Sequence, residues 1–259
     1  MRFLRTRPCV PTRIAQSVRA ERALPGGARR IALEFGEERA AERVPAILLL
    51  PSAGPAAGVL LLHGYSSHKE EMAATIGRVL LRHGIASLAI DLPLHGERRG
   101  GMDMQAMRNP IALVSAWRLA QDEARLALGY LGARPEVDAS RLAVVGYSMG
   151  SFLGVLVAAR ERRVRAVVLA AGGDLPDGTP FERLVRAAAD PLRAVRRLDG
   201  RPLLMVHARR ARTVTPAQAQ RLFDAAAEPK TLRWWDAGHY LPDAAIDDAA
   251  AWLEAALAG

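Results

Sequence analysis

The feature that most constrains this chain is the pentapeptide Gly146-Tyr147-Ser148-Met149-Gly150, which directly follows the apolar run 141–145. A serine with glycine two residues before and after it, between a buried strand and a helix, marks a sharp turn that strains the serine backbone. Small residues at both glycine positions keep side chains out of the turn. The pattern predicts a strand, an exposed Ser148 and a helix over 151–159 whose N-terminal amides face an anion beside the serine.

Length and composition fit one α/β domain. The chain has 259 residues, half of them hydrophobic, which is enough for a sizeable core. Its single cysteine, Cys9, cannot form an internal disulfide, so we expect a fold held by packing and a cytoplasmic location. No apolar run approaches the ~20 residues that cross a bilayer, and no secretory signal follows the basic N-terminus. We therefore expect no membrane span.

The charge does not indicate a nucleic-acid partner. The formal net charge is +9, and all basic residues except Lys69 and Lys230 are arginines. These arginines are dispersed over several predicted helices and loops, without an aromatic-interleaved stripe or a recognised binding motif. We expect no nucleic acid as a partner, and the sequence does not indicate an oligomeric state.

Strands and helices alternate along most of the chain, which predicts a mostly parallel sheet with an antiparallel start and helices on both faces. We expect an irregular N-terminal arm over 1–27 and a single domain over 28–259, with a small lid insertion at about 174–200 that includes a helical segment at 181–198. The predicted strands are 31–35, 44–50, 58–62, 86–90, 142–145, 166–169, 203–206 and 231–235. The predicted helices are 70–83, 115–131, 151–159 and 216–226.

The turn His63-Gly64-Tyr65 follows a predicted strand whose end should lie beside Ser148. A sharp turn there would let the amides of Tyr65 and Met149 face a tetrahedral oxyanion together. His63 is interpreted mainly as a residue that organises this turn, although it could also contact substrate. The Tyr65 hydroxyl either binds substrate or lines the cavity.

His239 follows the last predicted strand and precedes the C-terminal helix. It comes after Ser148 in the chain, as the base does in an elbow-type hydrolase. As a neutral imidazole it could take the Ser148 proton and return it to a leaving group. His68 and His95 lie in loops at the same end of the sheet and are candidates for substrate contact. No histidine pair has metal-ligand spacing, and no cofactor is expected.

Four motifs resemble the α/β-hydrolase superfamily over about residues 31–257, and more narrowly the bacterial esterases related to dienelactone hydrolases and prolyl-oligopeptidase-type domains. They are Leu60-Leu61-Leu62-His63-Gly64-Tyr65, the segment 91–98, Gly146-Tyr147-Ser148-Met149-Gly150 and Ala237-Gly238-His239. The resemblance implies an α/β-hydrolase fold and an esterase-like activity. It says less about the substrate, since the superfamily also includes lipases, thioesterases, peptidases and non-catalytic members.

One position departs from the family pattern. Members usually carry His-Gly-x-x-Asp after the penultimate core strand, and that aspartate orients the catalytic histidine; here Ala211 stands in its place. Asp174, which follows the strand 166–169, is our preferred substitute. Asp177 and Asp236 are further candidates, and an absent acid is the remaining alternative.

Together these residues predict a carboxylesterase-type serine hydrolase for short or medium acyl esters. Ser148 would be the nucleophile, His239 the base and Asp174 the acid, with a small-molecule ester as substrate. One alternative is a catalytically impaired protein that binds a ligand in the same cavity, which would explain Ala211 directly. A thioesterase or a peptidase is the other alternative, and the sequence does not distinguish these leaving groups.

Overall fold

A nine-stranded sheet forms the centre of the computed structural model, which describes residues 14–38, 40, 42–98, 110–179 and 182–258. The strand order across the sheet is β1-β2-β3-β5-β4-β6-β7-β8-β9. The strands are β1 (Ile14–Ala23), β2 (Arg29–Glu37), β3 (Val44–Leu50), β4 (Ala56–Leu62), β5 (Ala86–Ile90), β6 (Val137–Tyr147), β7 (Val164–Ala170), β8 (Leu203–Ala208) and β9 (Lys230–Trp235).

The sheet begins antiparallel and continues parallel, as the sequence predicts. Antiparallel pairing joins β1 to β2, β2 to β3 and β3 to β5, whereas β5, β4 and β6 to β9 pair in parallel. Every residue of β3, β4, β5 and β8 is buried, because helices cover both faces of this part of the sheet. The carboxyl ends of the parallel strands therefore lie at one edge, where loops carry the candidate site residues.

Helices cover the two faces of the sheet in two separate groups. They are α1 (Lys69–Met72), α2 (Arg78–Arg82), α3 (Pro110–Gly132), α4 (Met149–Ala158), α5 (Glu182–Ala188), α6 (Pro191–Val195), α7 (Pro216–Ala225) and α8 (Asp243–Ala258). Helices α3, α4, α6 and α7 contribute to one core cluster, and α1, α2 and α8 contribute to the other. Alternate residues of β4 divide between them, since Leu60 and Leu62 face the first and Val59 and Leu61 the second.

Part of the predicted irregular N-terminal arm is instead an ordered strand. Residues Ile14–Ala23 form β1 and pair with β2 along their length, with one irregularity between Val18 and Ala20. Most of this strand is exposed, so it carries no apolar alternation that a sequence pattern could reveal. Backbone pairing and ion pairs hold it, including those of Arg19 with Glu34 and Glu97. Residues 1–13 of the predicted arm lie outside the described residues.

Each of the eight predicted strands falls within an observed strand, and the helix predictions differ mainly at their ends. Helix α4 begins at Met149, two residues earlier than predicted, and α3 extends beyond its predicted 115–131 at both ends. The helix predicted over 70–83 consists of α1, a π-helical turn Ala73–Gly77 and α2. In the predicted lid, α5 and α6 are separate helices, and residues 180 and 181 lie outside the described part. None of the described helices has the length and apolar character to cross a membrane.

Candidate active site

Ser148 occupies the turn between β6 and α4 in a backbone conformation that side chains rarely adopt, with φ of 52° and ψ of −114°. The flanking glycines explain how the turn closes. A Cβ atom on Gly146 would lie 2.2 Å from the Gly150 oxygen, and one on Gly150 would lie 2.0 Å from the Leu62 oxygen. Any larger residue at either position would therefore force the turn apart. The strained serine lies directly before the first turn of α4, as the sequence predicts. Its side chain is half-buried rather than exposed, which the sequence pattern did not predict.

His239 lies in the loop between β9 and α8, and its Nε2 atom is 3.0 Å from the Ser148 Oγ atom. The two residues are 91 positions apart in the chain, so the fold brings them together. With the imidazole neutral, the hydroxyl can donate its proton to Nε2, which is the contact a nucleophile needs with its base. Burial lowers the pKa of His239 below its ordinary value of 6.5, which keeps the imidazole neutral near pH 7.

The second nitrogen of His239 lacks the carboxylate that usually orients such a base. Its Nδ1 atom is buried and has no hydrogen-bond partner among the described residues. Ala211, which stands where the resemblance implies an aspartate, is buried and carries only an apolar methyl group. Within the described residues, the hydrogen bond to Ser148 is therefore the one that the ring itself makes.

Asp174 does not supply the missing contact in this structure. Its carboxylate is buried and accepts hydrogen bonds from Arg186 at 2.9 and 3.1 Å, and from Arg221 at 3.4 Å. Its backbone is held against the start of α7, since its amide donates to the Gln218 carbonyl at 3.0 Å and a Cβ on Gly173 would collide with that helix. The expectation that Asp174 orients His239 is not met, because two arginines and the α7 contact direct the carboxylate elsewhere.

The two other candidate acids are also paired with arginines. The Asp177 carboxylate accepts from Arg221 at 3.0 Å and is almost fully exposed. Asp236 pairs with Arg210 at the exposed start of the loop that carries His239. Within the described residues, the fold thus directs all three candidate carboxylates to guanidinium groups.

The turn predicted to contribute to an oxyanion site lies against the nucleophile. A Cβ on Gly64 would be 3.4 Å from the Ser148 Cβ, so the backbone of residues 63–65 borders the serine. Met149 is the first residue of α4, and the first amides of a helix have no partner within it. The amides of Tyr65 and Met149 therefore remain our candidates for the oxyanion donors.

His63 is a structural residue of this turn, and the prediction that it contacts substrate is not supported. The side chain is fully buried, its Nδ1 donates to the Gly64 carbonyl at 2.7 Å and its Nε2 accepts from the Leu92 amide at 3.0 Å. Burial lowers its pKa to about 4. Both ring nitrogens are thus used by the backbone, and none remains for a ligand.

The two other predicted substrate contacts differ in their surroundings. His95 donates from Nδ1 to the Pro93 carbonyl at 2.8 Å and packs edge-on against the rings of His63 and Tyr65, while its buried Nε2 lacks a partner in the described regions. His68 is exposed and immediately precedes α1. His95 therefore keeps an acceptor beside the candidate oxyanion turn, and its role as a substrate contact stays a prediction, as does that of His68.

Buried charges hold the His95 loop in place. Asp91 is fully buried and accepts from the amide and the ammonium of Lys69, both at 2.9 Å, and from the Glu97 amide at 3.0 Å. Lys69 also donates to the Glu97 carboxylate at 2.6 Å. These contacts pair the buried charges with one another, so this network fixes the loop.

No cluster of histidine, cysteine, aspartate or glutamate suited to a metal ion occurs in the described ranges.

Tyr147 is a site residue that the sequence analysis did not single out. Its hydroxyl donates to the His239 carbonyl at 2.8 Å and accepts from the Leu241 amide at 2.9 Å. The residue before the nucleophile thus binds the loop that carries the base. Its position as the variable residue of the motif gave no signal for this role.

Comparisons with known proteins agree with the fold described above. The alpha/beta hydrolase family matches residues 59–257 of the chain. A polyketide transferase, ATR5 of Stachybotrys chlorohalonatus, is 26% identical over 156 residues, which cover 60% of this chain. The chain spans about half the length of that curated relative.

Solved structures share the fold. TT1662 from Thermus thermophilus is 26% identical with a TM-score of 0.70, over 83% of this chain and 94% of that one. An acetyl xylan esterase from Paenibacillus sp. R4 is 19% identical with a TM-score of 0.74, over 95% of this chain and 89% of that one. The arrangement of strands and helices described above is therefore shared with both of these structures.

Proposed function

Because the chain belongs to the alpha/beta hydrolase family, we propose that it is a serine hydrolase that cleaves short or medium carboxylic esters through an acyl-enzyme at Ser148. The observation that carries this proposal is the 3.0 Å contact between the His239 Nε2 and the Ser148 Oγ. The strained turn that presents the serine supports it as well. A protein that only bound a ligand here would not need a base at hydrogen-bond distance from a strained serine.

The proposed reaction has two halves. In the first, Ser148 Oγ bonds to the ester carbonyl carbon while His239 Nε2 takes the hydroxyl proton, and the amides of Tyr65 and Met149 stabilise the oxyanion. The bond from the carbonyl carbon to the leaving oxygen then breaks, and His239 returns the proton to the alcohol. In the second half, water attacks the carbonyl carbon of the acyl-enzyme and gives a proton to His239. The bond from that carbon to Ser148 Oγ then breaks, His239 returns the proton to Oγ, and the carboxylic acid leaves.

The unpartnered Nδ1 of His239 favours esters over amides as substrates. A carboxylate beside Nδ1 normally stabilises the imidazolium that forms in the transition state, and no described residue supplies one. Proton transfer to a poor leaving group such as an amine depends most on that stabilisation. An alkoxide, phenolate or thiolate leaves more readily than an amine. Hydrolysis of esters or thioesters therefore fits the site better than hydrolysis of peptides.

Hydrolysis of a series of p-nitrophenyl esters tests this proposal. We expect turnover of the acetate and butyrate that exceeds the rate of Ser148→Ala, and an acyl adduct on the Ser148 peptide in mass spectra of acid-quenched protein. Including an alcohol in the assay detects acyl transfer to an acceptor other than water, the type of activity in the name of the curated relative. Turnover by Ser148→Ala at the wild-type rate would refute the proposed nucleophile.

A further inference from the structure

The hydroxyl of Tyr147 connects the turn of the nucleophile to the loop of the base. It donates to the carbonyl of His239 itself and accepts from the amide of Leu241, two residues further on. The Tyr147 and His239 rings meet edge-on, with centroids 6.1 Å apart. We propose that Tyr147 is the positioning residue that sets the place of the His239 imidazole, in a site where no described residue supplies the usual carboxylate. This inference rests on the proposed function.

The surroundings of His239 leave this task to few groups. In the usual arrangement a carboxylate on Nδ1 fixes the ring, and here Nδ1 has no partner within the described chain. Gly238, on one side of His239, has open space where a side chain would project, and Tyr240, on the other side, is 74% exposed. The residues that flank His239 therefore add little packing at the tip of the loop. Besides the edge-on ring contacts of His239 with Tyr147 and Tyr240, the backbone contacts of the loop determine where the imidazole lies.

Backbone contacts fix the loop on both sides of its tip. On the near side, the Arg210 amide donates to the Ala237 carbonyl at 3.0 Å, two residues before His239. On the far side, the Tyr147 hydroxyl donates to the His239 carbonyl and accepts from the Leu241 amide. The first of these hydrogen bonds holds the backbone of His239 itself. The Tyr147 backbone is covalently joined to Ser148, so this side chain links the backbone of the nucleophile to the backbone of the base.

The tyrosine is well suited to a fixed role. It is half-buried, and burial raises the pKa of its hydroxyl above the ordinary value of 10. The hydroxyl is therefore neutral throughout the neutral pH range, and it can donate to one backbone group and accept from another at the same time. Phenylalanine keeps the ring and removes both hydrogen bonds.

The test is Tyr147→Phe, followed with a fluorophosphonate probe that reports both the rate constant and the final extent of labelling at Ser148. We expect full labelling with a rate constant ~10- to 100-fold below wild type, the effect of displacing a catalytic group by about 1 Å. The kcat for p-nitrophenyl butyrate should fall by a similar factor, with KM within about two-fold of wild type. Tyr130→Phe is the matched control, since it removes a hydroxyl from a buried tyrosine that stacks on Phe35, and it should label as wild type.

Each result decides the inference. A purely structural role would reduce the final extent of labelling, through loss of folded protein, and leave the rate constant unchanged; that result overturns the inference. An unchanged rate constant with full labelling overturns it too. Absence of labelling in the wild-type protein refutes the proposed function instead, so the two failures are distinguishable.

Discussion

The surroundings of His239 and of Asp174 are complementary, yet the fold keeps them apart. His239 has a buried ring nitrogen with no partner in the described regions, at the point where a carboxylate would stabilise its cation. Asp174 has a buried carboxylate whose two oxygens are held by Arg186 and Arg221. Base and acid, which usually form one chain of hydrogen bonds with the serine, thus belong to two separate networks.

This difference shows that a carboxylate in the right stretch of sequence is not enough to complete a site. Asp174 follows β7 and reaches the active-site edge of the sheet, but guanidinium groups from α5 and α7 bind it there. In that place it fastens α5, which has no buried residue of its own, to the body of the protein. The Asp174 carboxylate therefore stabilises the fold. The position of His239 depends instead on its contact with Ser148 and on the two hydrogen bonds of the Tyr147 hydroxyl.

Restoring a carboxylate beside His239 should produce the largest change. We expect Ala211→Asp to raise kcat by ~10- to 100-fold, a fraction of the ~10⁴-fold that triad enzymes lose when that carboxylate is neutralised. Ala211→Asn is the matched control, because it adds the same shape without the charge and should give no gain. Ester hydrolysis by the two variants measures the difference. Equal rates for both would contradict the account of a missing acid.

Removing the charge of Asp174 should change stability and leave catalysis intact. Asp174→Asn leaves Arg186 without its bidentate partner, and we expect the free energy of unfolding to fall by about 1–3 kcal/mol. Asp177→Asn, which also faces Arg221 but from an exposed position, should cost less than about 0.5 kcal/mol. Urea denaturation measures both changes. A loss of turnover by orders of magnitude in folded Asp174→Asn would instead return Asp174 to the mechanism.

The pH dependence should show the smallest effect. The pKa of His239 is lowered by burial from its ordinary value of 6.5, and no carboxylate of the described residues opposes that shift. The base works in its deprotonated form, so kcat/KM should rise with pH through an apparent pKa below 6.5 and then reach a plateau. In Ala211→Asp the new negative charge favours the imidazolium, so the same limb should move to higher pH. A wild-type limb above 6.5 would indicate a carboxylate near His239.

The sequence predicted the parts of the fold that depend on continuous apolar runs. Buried strands such as Val44–Leu50 and Ala56–Leu62 carry an unbroken hydrophobic signal, and the glycines around Ser148 mark a turn that tolerates nothing larger. The exposed strand β1 was not predicted. Backbone pairing and surface ion pairs hold it, and neither produces a hydrophobic pattern in the sequence. Local sequence signals therefore predict the structure wherever burial on both faces or close backbone approach determines the residue type.

The candidate site was predicted as far as its local motifs reach. Ser148 and His239 each lie in a motif whose position in the chain order indicates its role, and the structure brings the two together. The hydrogen-bond partners of Asp174 are Arg186 and Arg221, which lie 12 and 47 residues further along the chain. No local sequence pattern indicates that these arginines bind its carboxylate. The two bonds of the Tyr147 hydroxyl are equally long-range, spanning 92 and 94 residues.

The central claim is that Ser148 and His239 form a working pair although no carboxylate of the described residues contacts Nδ1 of His239. Labelling of the purified protein with a fluorophosphonate probe, located by peptide mass spectrometry, tests it without assuming a substrate. The account predicts rapid labelling at Ser148 that is lost in Ser148→Ala, strongly slowed in His239→Ala and unchanged in Asp174→Asn. Absence of labelling in folded wild-type protein, or labelling that does not depend on His239, would contradict it.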